Sequence, residues 1–277
     1  MFLGFPPQKG KNLIKFVDTG QKVILFYDEK RSTRPTPLAL PKFLKIDESF
    51  LVGLGIYLGE GSRNRHPKVT NSEPLIINQA IKFFDLFGIE RNRLKAWIQL
   101  HERSTASLNE VRGYWLSNTY LKPKNILYVR NKKSSGNASV KKFGVLHLEV
   151  NSILLQLLIE GLINQVGSIV KNLSKKKIVP FLKGFFAAEG SVGIAKTGSV
   201  NEINFTSTRA NEREMIKKLL NKIGIVTHNY NRRFEVRVFG FNNIKKLVHM
   251  KIFQYHPDRD IKLNQGFVKL QSSLKVL

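Results

Sequence analysis

The chain has 277 residues, and its 46 lysines and arginines against 20 acidic residues give a formal net charge of +26. It contains no cysteine, which excludes disulfides, thiolate zinc sites, iron–sulfur clusters and a thiol nucleophile. With 42% hydrophobic residues the chain can build a sizeable core, and no apolar run approaches the roughly 18 residues of a membrane span. The charge predicts a polyanionic partner, with nucleic acid ahead of a membrane surface because no long basic amphipathic helix stands out. We therefore expect a globular, intracellular protein.

Three regions follow one another along the chain. Residues 1–46 form an N-terminal extension, in which residues 23–27 have the pattern of a strand. Residues 47–170 and 171–277 are predicted to be two repeats, because the motifs and strand patterns of the first recur in the second. Each repeat has the pattern helix, hairpin, helix, strand or hairpin, helix. The chain is therefore predicted to be a diverged tandem duplication.

The most similar parts of the two repeats are residues 52–62 and 181–191. Each is an apolar stretch with small residues that ends in Glu-Gly-Ser, so that Glu60 aligns with Glu189. Both stretches are predicted helices. Asp47 or Ser49 is suited to cap the first, Pro180 suits the first turn of the second, and the glycine after each glutamate is a natural helix stop.

The small residues of these helices need a packing reason, because each glycine inside a helix costs about 1 kcal/mol relative to alanine. Gly55 aligns with Gly184, and small residues allow two helix backbones to approach closely. If the helices pack about a pseudo-twofold axis, Glu60 and Glu189 emerge side by side. Facing carboxylates are costly unless they hold a hard cation, which predicts a metal site. The alternative is that each glutamate ends its helix in solvent.

Residues 53–61 and 182–190 resemble the two motifs of a single-chain LAGLIDADG homing endonuclease, and the resemblance covers residues 47–277. It implies an α+β fold of two pseudo-symmetric αββαββα halves, whose antiparallel, saddle-shaped sheets face the major groove of double-stranded DNA. It also implies an intron-encoded monomer with internal pseudo-twofold symmetry, in an archaeal cytoplasm or an organelle matrix, that makes a metal-dependent double-strand cut at a long recognition site. An RNA-binding intron maturase on the same fold and a catalytically inactive DNA-binding protein remain alternatives.

The resemblance also implies the catalytic residues. Glu60 and Glu189 match the metal-binding carboxylates of the family, and the backbone carbonyls of Gly59 and Ala188 are implied as further ligands. Hard oxygen ligands favour Mg²⁺, with Mn²⁺ or Ca²⁺ as substitutes. Lys262 matches a basic residue that organises water or stabilises charge, and the first repeat has no convincing counterpart.

DNA contacts are expected from polar and basic residues on the strands and their connections. Lys95, Gln99 and His101 share one face of a predicted strand, and such side chains read purine edges in the major groove. The alternatives for each residue are a solvated strand face or a phosphate contact. The predicted DNA-binding residues are Arg63, Arg65, Lys68, Asn71, Lys95, Gln99, His101, Lys196, Ser207, Arg232, Arg233 and Arg237.

Overall fold

The computed structural model describes residues 14–27, 36–62, 66–132, 140–230 and 234–275. It divides into two compact units, which we call unit 1 (Met1–Ile46 with Glu60–Val166) and unit 2 (Asp47–Gly59 with Gly167–Leu277). Four of the predicted DNA-binding residues lie outside the described residues: Arg63, Arg65, Arg232 and Arg233.

The described residues form helices and strands in the following chain order. The strands are β1 (Ile14–Asp18), β2 (Lys22–Tyr27), β3 (Leu38–Pro41), β4 (Lys68–Asn71), β5 (Leu94–His101), β6 (Ile126–Lys132), β7 (Val145–Val150), β8 (Gly190–Ile194), β9 (Val200–Thr206), β10 (His228–Tyr230) and β11 (Glu235–Phe239). The helices are α1 (Glu48–Glu60), α2 (Pro74–Asp85), α3 (Leu108–Asn118), α4 (Ile153–Asn164), α5 (Val166–Lys171), α6 (Lys175–Glu189), α7 (Ala210–Lys222), α8 (Phe241–His249) and α9 (Pro257–Lys275). Two short 3₁₀ turns stand at Arg91–Arg93 and Pro123–Asn125.

The extension contains an antiparallel meander of β1, β2 and β3, which we call sheet A. The strand predicted at residues 23–27 is confirmed as β2. Leu25, Leu38 and Leu40 are buried, so one face of sheet A contributes to the core of unit 1.

In unit 2, strands β8 to β11 form sheet C in the order β10-β11-β9-β8, and all its neighbours are antiparallel. The elements from α6 to α8 follow the order αββαββα, as the second repeat was predicted to, and α9 is added at the end. Helix α6 packs on this sheet through Phe185 and Phe186, whose rings meet Phe205 of β9 edge-on at 5.1 and 5.7 Å between centroids. Burial of these aromatic side chains fixes the sheet beneath the motif helix.

In unit 1, sheet B has the order β4-β7-β5-β6. The antiparallel set β4, β7 and β5 repeats the order of β9, β11 and β10 in sheet C, so the mixed, mainly antiparallel fold class is confirmed. The first repeat departs from the simple pattern at two places. A single bridge between Gly61 and Val69 stands where sheet C has β8, and β6 runs parallel to β5. A parallel pair needs a crossover connection, and α3 supplies it.

The ends of the motif helices confirm one expectation and correct two. Asp47 caps α1, its Oδ1 accepting a hydrogen bond from the amide of Phe50 at 3.0 Å. Pro180 does not lie in a first turn, because α6 begins at Lys175 and Pro180 is inside the helix. Gly190 follows α6 with φ −72° rather than in the left-handed region. Glycine is required at position 190 because no side chain fits there: a Cβ would lie 2.6 Å from the ring of Phe253.

Candidate functional site

The two motif helices touch through their backbones inside unit 2. A Cβ built on Gly55 would overlap the carbonyl oxygen of Phe181 and lie 2.8 Å from the amide nitrogen of Phe185. A Cβ on Gly184 would overlap the carbonyl oxygen of Val52 in the same way. Glycine is therefore required at both crossing points, and the predicted close packing of the small residues is confirmed.

This crossing brings together three of the predicted ligand residues, Gly59, Ala188 and Glu189. A Cβ built on Gly59 would lie 2.6 Å from the Cβ of Ala188 and 2.9 Å from the Cγ of Glu189. The C-terminal turns of the two helices are thus in direct contact. Carbonyl groups at helix ends have no partner within the helix, so these turns offer oxygen ligands beside the side chain of Glu189.

Glu189 lies in a half-buried position at the end of α6. Burial raises the pKa of its carboxyl group, the nearby carboxylate of Glu212 raises it further, and the guanidinium of Arg259 opposes both. Because water solvates this carboxylate poorly and a second carboxylate stands near it, a divalent cation would relieve both penalties. The donor chemistry fits a hard metal ion.

Arg259 of α9 contacts the C-terminal end of α6. Its Nη1 donates to the carbonyl oxygens of Ala187 at 2.8 Å and Ala188 at 3.2 Å, and lies 3.3 Å from that of Phe186. A cation is favourable there because the helix dipole is negative at this end. The carbonyl of Ala188 is one of the predicted metal ligands, and its oxygen has a second lone pair. Sequence reasoning missed Arg259, although it stands three residues before Lys262 on the same helix.

Lys262 is exposed on α9. It lines a groove with Ile194, Gly198 and Lys269, where α9 runs beside the β8–β9 hairpin. Of the basic residues on α9, the structure therefore places Arg259 on the carbonyl groups of α6 and Lys262 beside the hairpin.

In unit 1, Glu60 is held by the last residue of β4, Asn71. Asn71 Nδ2 donates to Glu60 Oε1 at 2.9 Å. Its counterpart in the second repeat, Ser207, donates from Oγ to Glu212 Oε2 at 2.9 Å, and Glu212 is the carboxylate that acts on Glu189. Both residues were predicted as DNA contacts, and the structure shows each of them orienting a carboxylate.

Sheet B presents a polar face on the side opposite its core. Leu94, Ala96, Ile98 and Leu100 of β5 are buried, whereas Lys95, Trp97, Gln99 and His101 alternate with them, as predicted. Strand register adds residues of β4, β6 and β7 to the same side. We call this set the open face: Lys68, Thr70, Lys95, Trp97, Gln99, His101, Tyr128, Arg130, Lys132, Val145, His147 and Glu149. It holds four lysines and arginines against one acid and includes four predicted DNA-binding residues.

The corresponding side of sheet C is electrostatically different. Arg237 donates to Glu235 Oε2 at 2.9 Å from Nε and 2.7 Å from Nη2, and to Glu202 Oε2 at 3.1 Å from Nη1. Two carboxylates therefore orient and neutralise the arginine that was predicted to contact DNA. Lys196, another predicted contact, is exposed in the β8–β9 turn.

Two other structural features are absent from the described part of the chain. No cluster of three or more His, Asp or Glu side chains able to hold a metal ion is present among the described residues. Within the same residues, no helix combines the length and the apolar character needed to cross a membrane.

Comparison with known proteins identifies one segment. Residues 176–249, which include α6 from its second residue and all of sheet C, match the family model of a LAGLIDADG-like domain. The predicted resemblance is thereby confirmed for this segment. No curated protein sequence matches the chain.

Several solved structures are similar to the chain at low sequence identity. The structure of I-DmoI in complex with DNA and Mn has 14% identity and a TM-score of 0.44, and the match covers 76% of this chain and 99% of that chain. Mesophilic variants of the homing endonuclease I-DmoI have 15% identity and a TM-score of 0.44, with 75% and 96% covered. The N-terminal LAGLIDADG domain of DUF199/WhiA has 11% identity and a TM-score of 0.43, with 76% and 84% covered.

Proposed function

We propose that the protein is a single-chain, site-specific endonuclease that cuts double-stranded DNA with a divalent cation, because residues 176–249 match the family model of a LAGLIDADG-like domain. The packing of α1 on α6 carries the proposal. It brings Gly59 and Ala188 into contact, and each of the two helices ends in a glutamate, Glu60 or Glu189. A duplicated nuclease with one carboxylate for each half predicts this matched pair. We also propose that the gene encoding this protein lies in an intron.

Mg²⁺ is the proposed cofactor, with Mn²⁺ or Ca²⁺ as substitutes. The carboxylates of Glu60 and Glu189 and the carbonyls of Gly59 and Ala188 are hard oxygen donors, which these ions prefer. When bound, the ion supplies charge on the phosphate and lowers the pKa of an attacking water. The chain itself orients the carboxylates, since Asn71 fixes one oxygen of Glu60.

Basic residues complete the proposed catalytic and binding surface. Lys262, exposed on α9, is proposed to stabilise charge on the scissile phosphate. Lys68, Lys95, Gln99 and His101 lie on the open face, where lysine and glutamine contact phosphates or purine edges. On unit 2 we propose contacts from Lys196 and, once its glutamate partners release it, from Arg237. Arg63, Arg65, Arg232 and Arg233 stay predictions from the sequence.

A nucleic-acid-binding protein that does not cleave, such as an RNA-binding maturase, is the second candidate. The contact of Arg259 with the carbonyl of Ala188 favours it, because the guanidinium places positive charge where a metal ligand is predicted. The two candidates differ in metal-dependent strand cleavage and, for the maturase, in the nucleic acid that the protein binds.

A library of plasmids with random duplex inserts tests the proposal. The purified protein is incubated with the library and Mg²⁺, with EDTA as the control, and the cleaved ends are sequenced. The endonuclease predicts ends that share one long sequence and that form with Mg²⁺ only. The absence of cleavage, together with tight binding to a structured intron RNA, would reject the nuclease in favour of the second candidate.

A further inference from the structure

A row of side chains crosses the open face from one edge of sheet B to the other. Strand register aligns Thr70, His147, Trp97 and Tyr128 across β4, β7, β5 and β6. The rings of Trp97 and His147 stack at 3.6 Å between centroids and 7° between planes, and those of Trp97 and Tyr128 at 5.9 Å and 17°. Three nearly parallel rings therefore form a continuous stack, which we call the aromatic row.

The inner end of the aromatic row is fixed. His147 is buried, and its Nδ1 is paired with the hydroxyl of Thr70 at 2.9 Å. Trp97 lies between the other two rings, and the ammonium of Lys68 lies 5.6 Å from its centroid. Stacking and cation–π contacts of this kind favour one orientation of the rings, so the row is formed without any ligand.

The outer end of the row is accessible. Tyr128 is on β6, the edge strand of sheet B, and 49% of its surface is exposed. Arg130 and Lys132 follow on the same side of the strand and are also exposed. Alternate residues of a strand are about 6.6 Å apart, so a half-exposed ring is followed by two cations at regular spacing along an edge.

This combination matches one kind of nucleic-acid partner. A base pair in a B-form duplex shows only its edges in the grooves, so a duplex offers no base face to Tyr128. An unpaired base has an open π-face, and proteins bind such strands with aromatic rings for the bases and a basic groove for the phosphates. On the open face the cations outnumber the acids by four to one, which complements a phosphate backbone.

We propose that the aromatic row binds single-stranded DNA, with an unpaired base stacked on Tyr128 and the adjoining phosphates on Arg130 and Lys132. Identification of the polymer as DNA rests on the proposed function. The row extends that function, because it provides a place for a strand that has left the duplex before or after cleavage.

The test compares three variants on the same strand. Tyr128→Ala removes the ring, Tyr128→Phe keeps it, and Leu127→Ala is the matched control, because Leu127 is the adjacent residue of β6, is 51% exposed and has no aromatic ring. Binding is measured in EDTA by fluorescence anisotropy with a labelled single-stranded oligodeoxynucleotide, with its duplex, and with an RNA strand of the same sequence. Far-UV circular dichroism confirms that each variant is folded.

Loss of one base–ring stack predicts single-strand binding weaker by about fivefold to 150-fold in Tyr128→Ala. Tyr128→Phe and Leu127→Ala should remain within twofold of the parent, and Tyr128→Ala should weaken duplex binding less than single-strand binding. Equal losses on single strand and duplex, or equal effects of Tyr128→Ala and Leu127→Ala, would overturn the stacking role. Ring-dependent binding of RNA in preference to DNA would overturn DNA as the partner. Failure of the proposed nuclease is recognised separately, as duplex DNA left uncut with Mg²⁺.

Discussion

Replacement of Gly184 by alanine tests whether the two motif helices really require backbone contact. The added Cβ would overlap the carbonyl oxygen of Val52 and lie 2.9 Å from its carbon and 3.1 Å from the amide nitrogen of Ile56. These neighbours are backbone atoms, which cannot rotate away, so the helices must separate. Overpacking of a core costs about 1–3 kcal/mol, and a clash with backbone belongs at the upper end. The better helix propensity of alanine returns about 1 kcal/mol, which leaves a net loss of about 2 kcal/mol.

Gly167→Ala is the matched control in the same unit. Gly167 lies in α5, and a Cβ built there meets nothing within 4 Å. Only the helix propensity changes at this position, so the variant should be more stable than the parent by up to about 1 kcal/mol. Both substitutions replace glycine by alanine. The structure nevertheless predicts changes of opposite sign in the free energy of unfolding, which differ by about 3 kcal/mol.

Urea denaturation followed by far-UV circular dichroism measures this difference. Both tryptophans of the chain, Trp97 and Trp115, belong to unit 1, so the dichroism signal is the one that includes the helices of unit 2. The Gly184→Ala variant should lower the unfolding midpoint in the dichroism signal relative to both the parent and Gly167→Ala. If Gly184→Ala is as stable as Gly167→Ala, the helices do not touch through their backbones and the assignment of the motif helices is wrong.

Three further substitutions test other contacts. Burial, followed by Lys68 and Lys132, lowers the pKa of His147 to about 4 from its ordinary 6.5. The folded state therefore prefers the neutral ring. The contribution of this preference to the free energy of unfolding is up to about 3 kcal/mol. It is complete above the pKa of the unfolded state and is lost as the pH falls towards 4. Urea titrations at several pH values should show this loss in the parent and not in His147→Gln. Ser107→Ala removes the capping box of α3 and should cost about 0.5–2 kcal/mol in the tryptophan-monitored transition; no change would mean that the box does not stabilise α3. Arg259→Met should cost unit 2 about 1.5–3 kcal/mol, because it removes charged hydrogen bonds to the end of α6; an unchanged dichroism midpoint would contradict this.

Local patterns predicted the elements that position the candidate site. The alternation in β5 placed Lys95 and Gln99 opposite Ala96 and Ile98, because a strand with one buried face requires a period of two. The small residues at Gly55 and Gly184 predicted the helix crossing, since only a close approach of backbones justifies glycine inside a helix. Both inferences needed only neighbouring residues and a known period.

Features that depend on distant residues were not predictable in this way. Pro180 resembled a first-turn proline, but the helix begins five residues earlier, at Lys175. The parallel pairing of β6 arises from the α3 crossover, and the strand itself carries no pattern that distinguishes a parallel from an antiparallel neighbour. Arg259 reaches α6 from α9, more than seventy residues later in the chain, so its role depends on the tertiary structure alone.

Cleavage of a duplex that carries the selected recognition sequence tests the proposed nuclease most directly. The parent, Glu60→Gln and Glu189→Gln are incubated with this duplex and Mg²⁺, and Glu90→Gln serves as the control because Glu90 is an exposed carboxylate beside the turn at Arg91–Arg93. Both strands and the fraction of bound DNA are followed. We expect the parent and Glu90→Gln to cut both strands at one position, while Glu60→Gln and Glu189→Gln bind the duplex and leave it uncut. Full cleavage by either of these two variants would contradict the assignment of the matched glutamates as metal-binding carboxylates.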